Sequence, residues 1–271
     1  MSANDRPLVM GIVNVTPDSF FDGGQHLDPE AALAHARRLI DEGADILDIG
    51  GESTRPGAEP VGEDEERARV VPVIAAIRAE SAIPISVDTM KPAVARAAVA
   101  AGATMWNDVT ALGGSPLSLA LAAELGCEVV LMHMQGEPRT MQAAPRYDDV
   151  VAEVCGFLAA RAEAAMAAGV ARERIWLDPG LGFGKTAEHT LTLIRRLDRI
   201  VDLGFPVLVG ASRKSAIPRI AGDRSSADQR LGGSLALALA AARAGVEAVR
   251  VHDVAETVQA LAVAAAIGQA R

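Results

Sequence analysis

Several things are scarce in this chain, and each shortage removes a class of protein. Of 271 residues only two are cysteine, Cys127 and Cys155. Their spacing matches no thiolate metal site, and two thiols build no disulfide scaffold, so both read as reduced cysteines. The five histidines show no paired spacing, which argues against zinc. No apolar run reaches the ~18 residues of a membrane span; the Ala-rich stretch Leu235 to Ala242 is broken by Arg243. Met1 to Pro7 is polar and lacks the apolar segment of a signal peptide, so a soluble, cytoplasmic protein is expected. Excess positive charge is also missing. A net charge of -9 argues against nucleic acid and acidic membrane surfaces as partners, and any phosphate must be held by local cations. Aromatic residues make up 3% of the chain, so the adjacent pair Phe20 and Phe21 stands out. Scarcest of the polar residues are lysine (Lys91, Lys185, Lys214) and asparagine (Asn4, Asn14, Asn107), against 23 arginines. Where they occur, the site calls for their chemistry rather than that of Arg or Asp.

What is present is a packed-core composition, 50% hydrophobic and 23% charged. Strand-like runs alternate eight times with helix-like segments. The strands fall at Leu8 to Val13, Ile46 to Ile49, Ile83 to Val87, Thr104 to Asn107, Glu128 to Met132, Ile175 to Asp178, Pro206 to Val209 and Ala248 to Val251. Helical patterns include Pro29 to Asp41, Glu63 to Glu80, Pro92 to Ala101, Asp148 to Ala168 and Glu188 to Val201. Gly43, Gly102, Gly126, Gly169, Gly204 and Gly245 follow helical segments where a left-handed C-cap belongs. Alternation with short loops gives a parallel sheet. Eight units close into a (β/α)8 TIM barrel, here one domain over residues 1–271; a doubly wound open sheet is the alternative.

Strand ends carry the polar residues: Asn14, Asp88, Asn107, His133, Asp178, Ser212 and His252. In a barrel these share one rim, where active sites sit. Asp88 and Asp178 singly could be helix or loop caps. Together with Asn14 and Asn107 they read as a recognition set for a ring, since a carboxylate accepts two N–H bonds at once and an amide both donates and accepts. Lys214 would donate to a ring carbonyl. Arg250 and His252 alternate with apolar residues and so face the barrel mouth together, although a buried Arg paired with an acid is the plainer reading. With Ser212-Arg213-Lys214-Ser215 they make a phosphate site after strands 7 and 8. Asn14 offers an oxygen to Mg²⁺. His133 reads equally as a core imidazole. Segments 15–27 and 51–62 exceed ordinary α/β loops and read as rim lids.

Leu177 to Thr186 reads Leu-Asp-Pro-Gly-Leu-Gly-Phe-Gly-Lys-Thr. It suggests a phosphate loop and fails on spacing: Gly180 to Gly184 leaves one residue too few, and Pro179 takes the place of the first Gly. A strand ending at Asp178 and a Gly-permitted turn remain.

Asn14-Val-Thr-Pro-Asp-Ser-Phe20, Asp48-Ile-Gly-Gly-Glu-Ser-Thr-Arg-Pro-Gly57, Ser86-Val-Asp-Thr89, Asn107-Asp108, His133-Met-Gln-Gly, the Asp178 to Gly184 run, Ser212-Arg-Lys-Ser215 and Arg250-Val-His-Asp253 together resemble the dihydropteroate synthase family, in order and over nearly the whole chain. The resemblance implies a barrel enzyme, a transferase of an alkyl group other than methyl. It would condense 6-hydroxymethyl-7,8-dihydropterin diphosphate with 4-aminobenzoate in folate biosynthesis, as a homodimer with Mg²⁺. Carried over, Asp88, Asn107, Asp178, Gly182, Phe183 and Lys214 would hold the pterin. Asn14, Arg55, Arg250 and His252 would hold diphosphate, with Mg²⁺ near Asn14. Thr16, Pro17, Thr54, Phe183 and Ser212 would contact aminobenzoate. Asp88, Asp178, Lys214 and Arg250 would be the catalytic set, and Lys185 stays outside the core site. No insertion follows Phe183, which implies a sulfonamide-sensitive enzyme. Pro218, in Ala216-Ile-Pro-Arg219, departs from the family pattern and puts the start of the helix there in doubt. The alternatives are a pterin-carrying domain serving a corrinoid-dependent methyltransferase and a catalytically idle paralogue acting as an interaction protein.

Overall fold

The computed structural model of the chain describes residues 6–16, 29–53, 58–137 and 140–270. Eight strands alternate with helices: β1 (Leu8–Asn14), α1 (Pro29–Asp41), β2 (Ile46–Gly50), α2 (Glu63–Glu80), β3 (Ile85–Asp88), α3 (Pro92–Ala100), β4 (Met105–Asp108) and α4 (Ser118–Leu125) open the series. It continues with β5 (Glu128–Met132), α5 (Val150–Ala167), β6 (Ile175–Asp178), α6 (Ala187–Arg195), α7 (Asp198–Val201), β7 (Leu208–Val209), α8 (Ala216–Ala221), α9 (Leu231–Arg243), β8 (Ala248–Val251) and α10 (Val254–Gln269). All neighbouring strands are parallel, in the order β6-β5-β4-β3-β2-β1-β8-β7. The ring closes where Leu177 of β6 bridges Val207, just before β7, with Leu177 N–H donating to Pro206 O at 2.9 Å. That closure makes a (β/α)8 barrel and removes the open doubly wound sheet.

The helix-ending glycines do what their place requires. Gly43, Gly102, Gly126, Gly169, Gly204 and Gly245 all take positive φ, the left-handed turn that ends a helix without a Cβ clash. Pro218 lies within the first turn of α8; its missing N–H has no intrahelical acceptor there, so the helix still starts at Ala216. The expected helix from Glu188 to Val201 is instead two, because Arg196 leaves helical geometry at φ -118°, ψ 30°. Leu193, Leu197 and Ile200 remain buried across that break. Their helical spacing is what made the segment look continuous.

Side chains alternate across each strand with period two, and the barrel shows it in layers. Met10, Ile46, Met105, Val130, Trp176, Leu208 and Ala248 pack together as an apolar plug inside the barrel. The other faces of the strands join the helices in a larger core that includes Leu47, Ile49, Ile74, Trp106 and Leu158. Trp106 is fully buried, and its Nε1–H donates to Thr89 O at 2.7 Å. A buried ring of that size contributes about 3–5 kcal/mol to stability.

Candidate active site

Two residues above the plug, on the same inward faces, the barrel turns polar. Met10 is followed by Ile12 and Asn14, Ile46 by Asp48, Met105 by Asn107, Trp176 by Asp178, and Ala248 by Arg250 and His252. The apolar plug thus ends in a floor of carboxylates, an amide and a guanidinium. Above it opens a cavity of about 370 Å³ lined by Asn14, Thr16, Asp88, Gly182, Phe183, Ser212, Lys214, Arg250 and His252. Its size is that of a small-molecule site. Met141 and Arg230, absent from the sequence reading, line it as well. Asn107 and Asp178 are buried and belong to the floor rather than the lining. Pro17, Thr54 and Arg55 lie outside the described residues, as does most of segment 15–27.

Arg250 is the hub of the floor. Its Nε donates to Asp48 at 2.5 Å and its Nη2 to Asp88 at 2.8 Å, so the plainer reading, an arginine paired with acids, describes its contacts. Nη1 is engaged by neither carboxylate. Burial works against its charge, but Asp48 and Asp88 outweigh it and hold the pKa above the ordinary arginine range. Asp48 also accepts from Asn107 Nδ2 at 3.3 Å, and its Oδ1 has no hydrogen-bond partner among the described residues. The sequence reading quoted Asp48 within a motif without giving it a role. Only the structure shows that β2 is buried along its whole length, so that this carboxylate must find a partner.

Burial raises the pKa of Asp88, with Arg250 opposing and Asp48 reinforcing the shift. Asp178 is also pushed up by burial, opposed by the Gly180 N–H, which donates to it at 2.7 Å, and by Lys214, Arg250 and Lys185. Lys214 moves the other way, to about 8, through burial and the nearby Arg250. Its Nζ stands 4.4 Å from the centre of the Phe183 ring, a cation–π contact that partly replaces lost hydration.

Two rim loops are fastened to each other. Ser212 Oγ accepts from His252 N–H at 3.2 Å and lies 3.0 Å from His252 Nδ1. Burial and Arg250 lower the imidazole to about 3, so it is neutral at physiological pH. Ser212 then donates to Nδ1, which puts the ring proton on Nε2. Arg213 adopts φ +56°, unusual for a side-chain-bearing residue, and its Nε donates to Asp253 at 3.0 Å. Its N–H donates to Ser234 Oγ at 2.9 Å and its carbonyl accepts from Arg230 at 2.9 Å. Arg213 is thus held by three partners, and both it and the next residue, Lys214, line the cavity.

The Leu177 to Thr186 stretch forms one wall. Gly180 takes φ +63°, and a Cβ there would stand 1.9 Å from His133 O; only glycine lets the turn pass so close to β5. His133 is buried and packs edge-on against Phe157 at 4.9 Å, the core imidazole reading. A second cavity of about 470 Å³ adjoins the first through Glu52 and Ser53 and is lined mainly by apolar residues such as Met132, Met134 and Phe157.

Comparison with known proteins bears on this arrangement directly. The family model for pterin binding enzymes matches residues 10–252. Dihydropteroate synthase of Escherichia coli strain K12 is 50% identical over 258 residues, covering 95% of this chain and 90% of the relative. Among solved structures, Xanthomonas albilineans dihydropteroate synthase with 4-aminobenzoic acid has a TM-score of 0.92 at 55% identity, covering 98% of this chain and 95% of that one. The same enzyme in complex with 7,8-dihydropteroate has a TM-score of 0.89 at 52% identity and the same coverage. By its barrel, its rim residues and these relationships, the chain belongs to the dihydropteroate synthase family of pterin-binding enzymes.

Proposed function

We propose that this chain, acting as a single domain, joins 4-aminobenzoate to 6-hydroxymethyl-7,8-dihydropterin diphosphate, giving 7,8-dihydropteroate and diphosphate in folate biosynthesis. The observation that carries this reading is the pairing, on one cavity, of an acid and amide floor with a cationic rim. Asp178 and Asn107 match the donor and acceptor edge of a pterin, and Lys214 supplies a donor for its carbonyl. Phe183 offers a face for the ring. Arg250, through Nη1, and the Nε2–H of His252 receive the diphosphate, joined by Asn14 and Arg55.

The chemistry follows from that placement. The bond between the pterin methylene and the diphosphate oxygen breaks, and its electron pair leaves with diphosphate. The positive charge left on the pterin methylene is captured by the lone pair of the amine, which then loses a proton. No protein nucleophile is required. The residues hold the two substrates in line and stabilise the departing anion, while Thr16, Pro17, Thr54, Phe183 and Ser212 orient aminobenzoate. Asp88, hydrogen-bonded to Arg250, fixes the guanidinium and completes the catalytic set with Asp178, Lys214 and Arg250.

Among the described residues no group of three or more His, Cys, Asp or Glu is placed to hold a metal. Asn14, a single amide oxygen, fits a hard cation that takes its remaining ligands from diphosphate and water. Mg²⁺ held there would neutralise charge on the leaving group. No described helix is long and apolar enough to cross a membrane, in keeping with a cytoplasmic enzyme. The Ala-rich segments Leu235 to Ala242 and Leu261 to Ile267 supply a face for a homodimer, on which Val263 and Ile267 are exposed. Sulfonamides, which mimic aminobenzoate, should compete at the same site.

The deciding assay is diphosphate release. It should require both pterin diphosphate and 4-aminobenzoate; folded protein that releases none with both present would overturn the reading.

A further inference from the structure

Lys185 takes no part in the site described so far. It does not line the cavity, it is 3% exposed, and its chemistry is unaccounted for. The turn that it follows forms the cavity wall at Gly182 and Phe183, and three successive carbonyls of that turn are gripped from outside the cavity. Gln142 Nε2 donates to Gly182 O, and the Tyr147 hydroxyl donates to Gly184 O at 2.8 Å. Lys185 Nζ takes the carbonyl between them, Phe183 O, at 3.0 Å. The same ammonium crosses to the end of β5, donating to His133 O at 3.3 Å and reaching His133 Nδ1 at 2.8 Å.

A fold-stabilising role accounts poorly for this residue. Burial works against its charge and lowers Lys185 from 10.5 to about 7, a desolvation cost that a neutral donor to the same carbonyls would avoid. The imidazole that it meets is held neutral, lowered to about 3 by burial and by Lys185 itself. The surroundings of Lys185 point toward the pocket instead. Phe183, whose carbonyl Lys185 holds, carries the ring that lines the cavity and meets Lys214.

We propose that Lys185 is a positioning residue for the pterin substrate: from outside the cavity it fastens the Phe183 wall to the β5 rim. This rests on the reading of the cavity as a pterin pocket.

Lys185→Met tests it, through steady-state kinetics and calorimetric binding of 6-hydroxymethylpterin, which lacks the diphosphate. The KM for pterin diphosphate and the Kd for the free pterin should each rise roughly tenfold or more, with kcat at saturation within about threefold of wild type. The melting temperature should stay within about 3 °C. Values of KM and Kd within about twofold of wild type would overturn the proposal. So would loss of kcat in step with lost folded protein at unchanged KM, the mark of a merely structural tie. If Lys185→Met does not fold, Lys185→Gln, which keeps one donor without the charge, should show the same split, and unchanged KM and Kd there would overturn the proposal equally. Asp178→Asn separates the two levels. If it leaves pterin affinity unchanged, the pocket reading fails and the proposal fails with it; if it weakens the pterin and Lys185→Met does not, the proposal alone fails.

Discussion

In its proposed role Lys214 donates to the pterin carbonyl as an ammonium, yet burial and Arg250 bring it to about 8. Its ammonium is present below that pH and is lost above it, so kcat/KM for pterin diphosphate should fall as pH rises through about 8 in the free enzyme. Lys214→Arg keeps the charge to much higher pH and should remove that limb from a pH–rate profile, at reduced affinity if the site is shaped for an ammonium. A falling limb unchanged in the variant would place the titration elsewhere. Lys214 was legible in the sequence because lysine is rare there and this one follows a strand. Asp48 was not, because a single acid among Ile46, Leu47 and Ile49 looks like the solvent face of an alternating strand. Only the closed barrel, with both faces of β2 buried, turns it into the partner of Arg250.

At the level of elements, the β7 and β8 loops act as one piece. Arg213 and Asp253 join them across the rim, and Asp253 also borders the start of α10. Asp253→Ala should leave Arg213 without its carboxylate and release Lys214 and His252 from their common frame. Charge-assisted bonds of this kind contribute about 1.5–3 kcal/mol. We expect kcat/KM for pterin diphosphate to drop roughly tenfold or more, with a smaller change in KM for aminobenzoate; equal effects on both substrates would contradict the element-level coupling. Most elements were legible because apolar runs and helix-ending glycines agree. The left-handed Arg213 was not, since nothing in Ser-Arg-Lys-Ser announces a positive φ. Nor was β7 at its true length: Pro206 and Val207 extend the apolar run, yet Val207 makes only an isolated bridge to Leu177 rather than a ladder.

For the molecule as a whole, the buried lysines make a linkage prediction. Lys185 and Lys214 drop from 10.5 in an open chain to about 7 and about 8 in the fold. Between those values and 10.5 the unfolded chain binds more protons than the native one, so stability rises with pH across that window. Cys127 acts in the opposite sense, since burial raises it from 9.0 to about 11: above pH 9 the unfolded thiol loses its proton first, and stability falls. Denaturant titrations of the free protein should therefore show stability increasing from pH 7 upward, with the rise slowing above about 9, where Cys127 opposes the two lysines. Lys185→Met should flatten the rise; a decline between pH 7 and 9 in the parent protein would refute the assignment.

The closure of the ring has a consequence for its dynamics. Every other neighbouring pair of strands shares a ladder, whereas β6 meets the β7 segment through one isolated bridge, Leu177 to Val207. Amide protons should therefore exchange fastest at this seam, and the barrel should breathe there as a local opening well short of global unfolding. Asp178 stands on one side of the seam and Lys214 on the other, so a pterin gripping both would act as a staple. Native-state hydrogen exchange should show Leu177 gaining more protection on pterin binding than the β1–β2 ladder does. The protein would then complete its own barrel only when the substrate is in place.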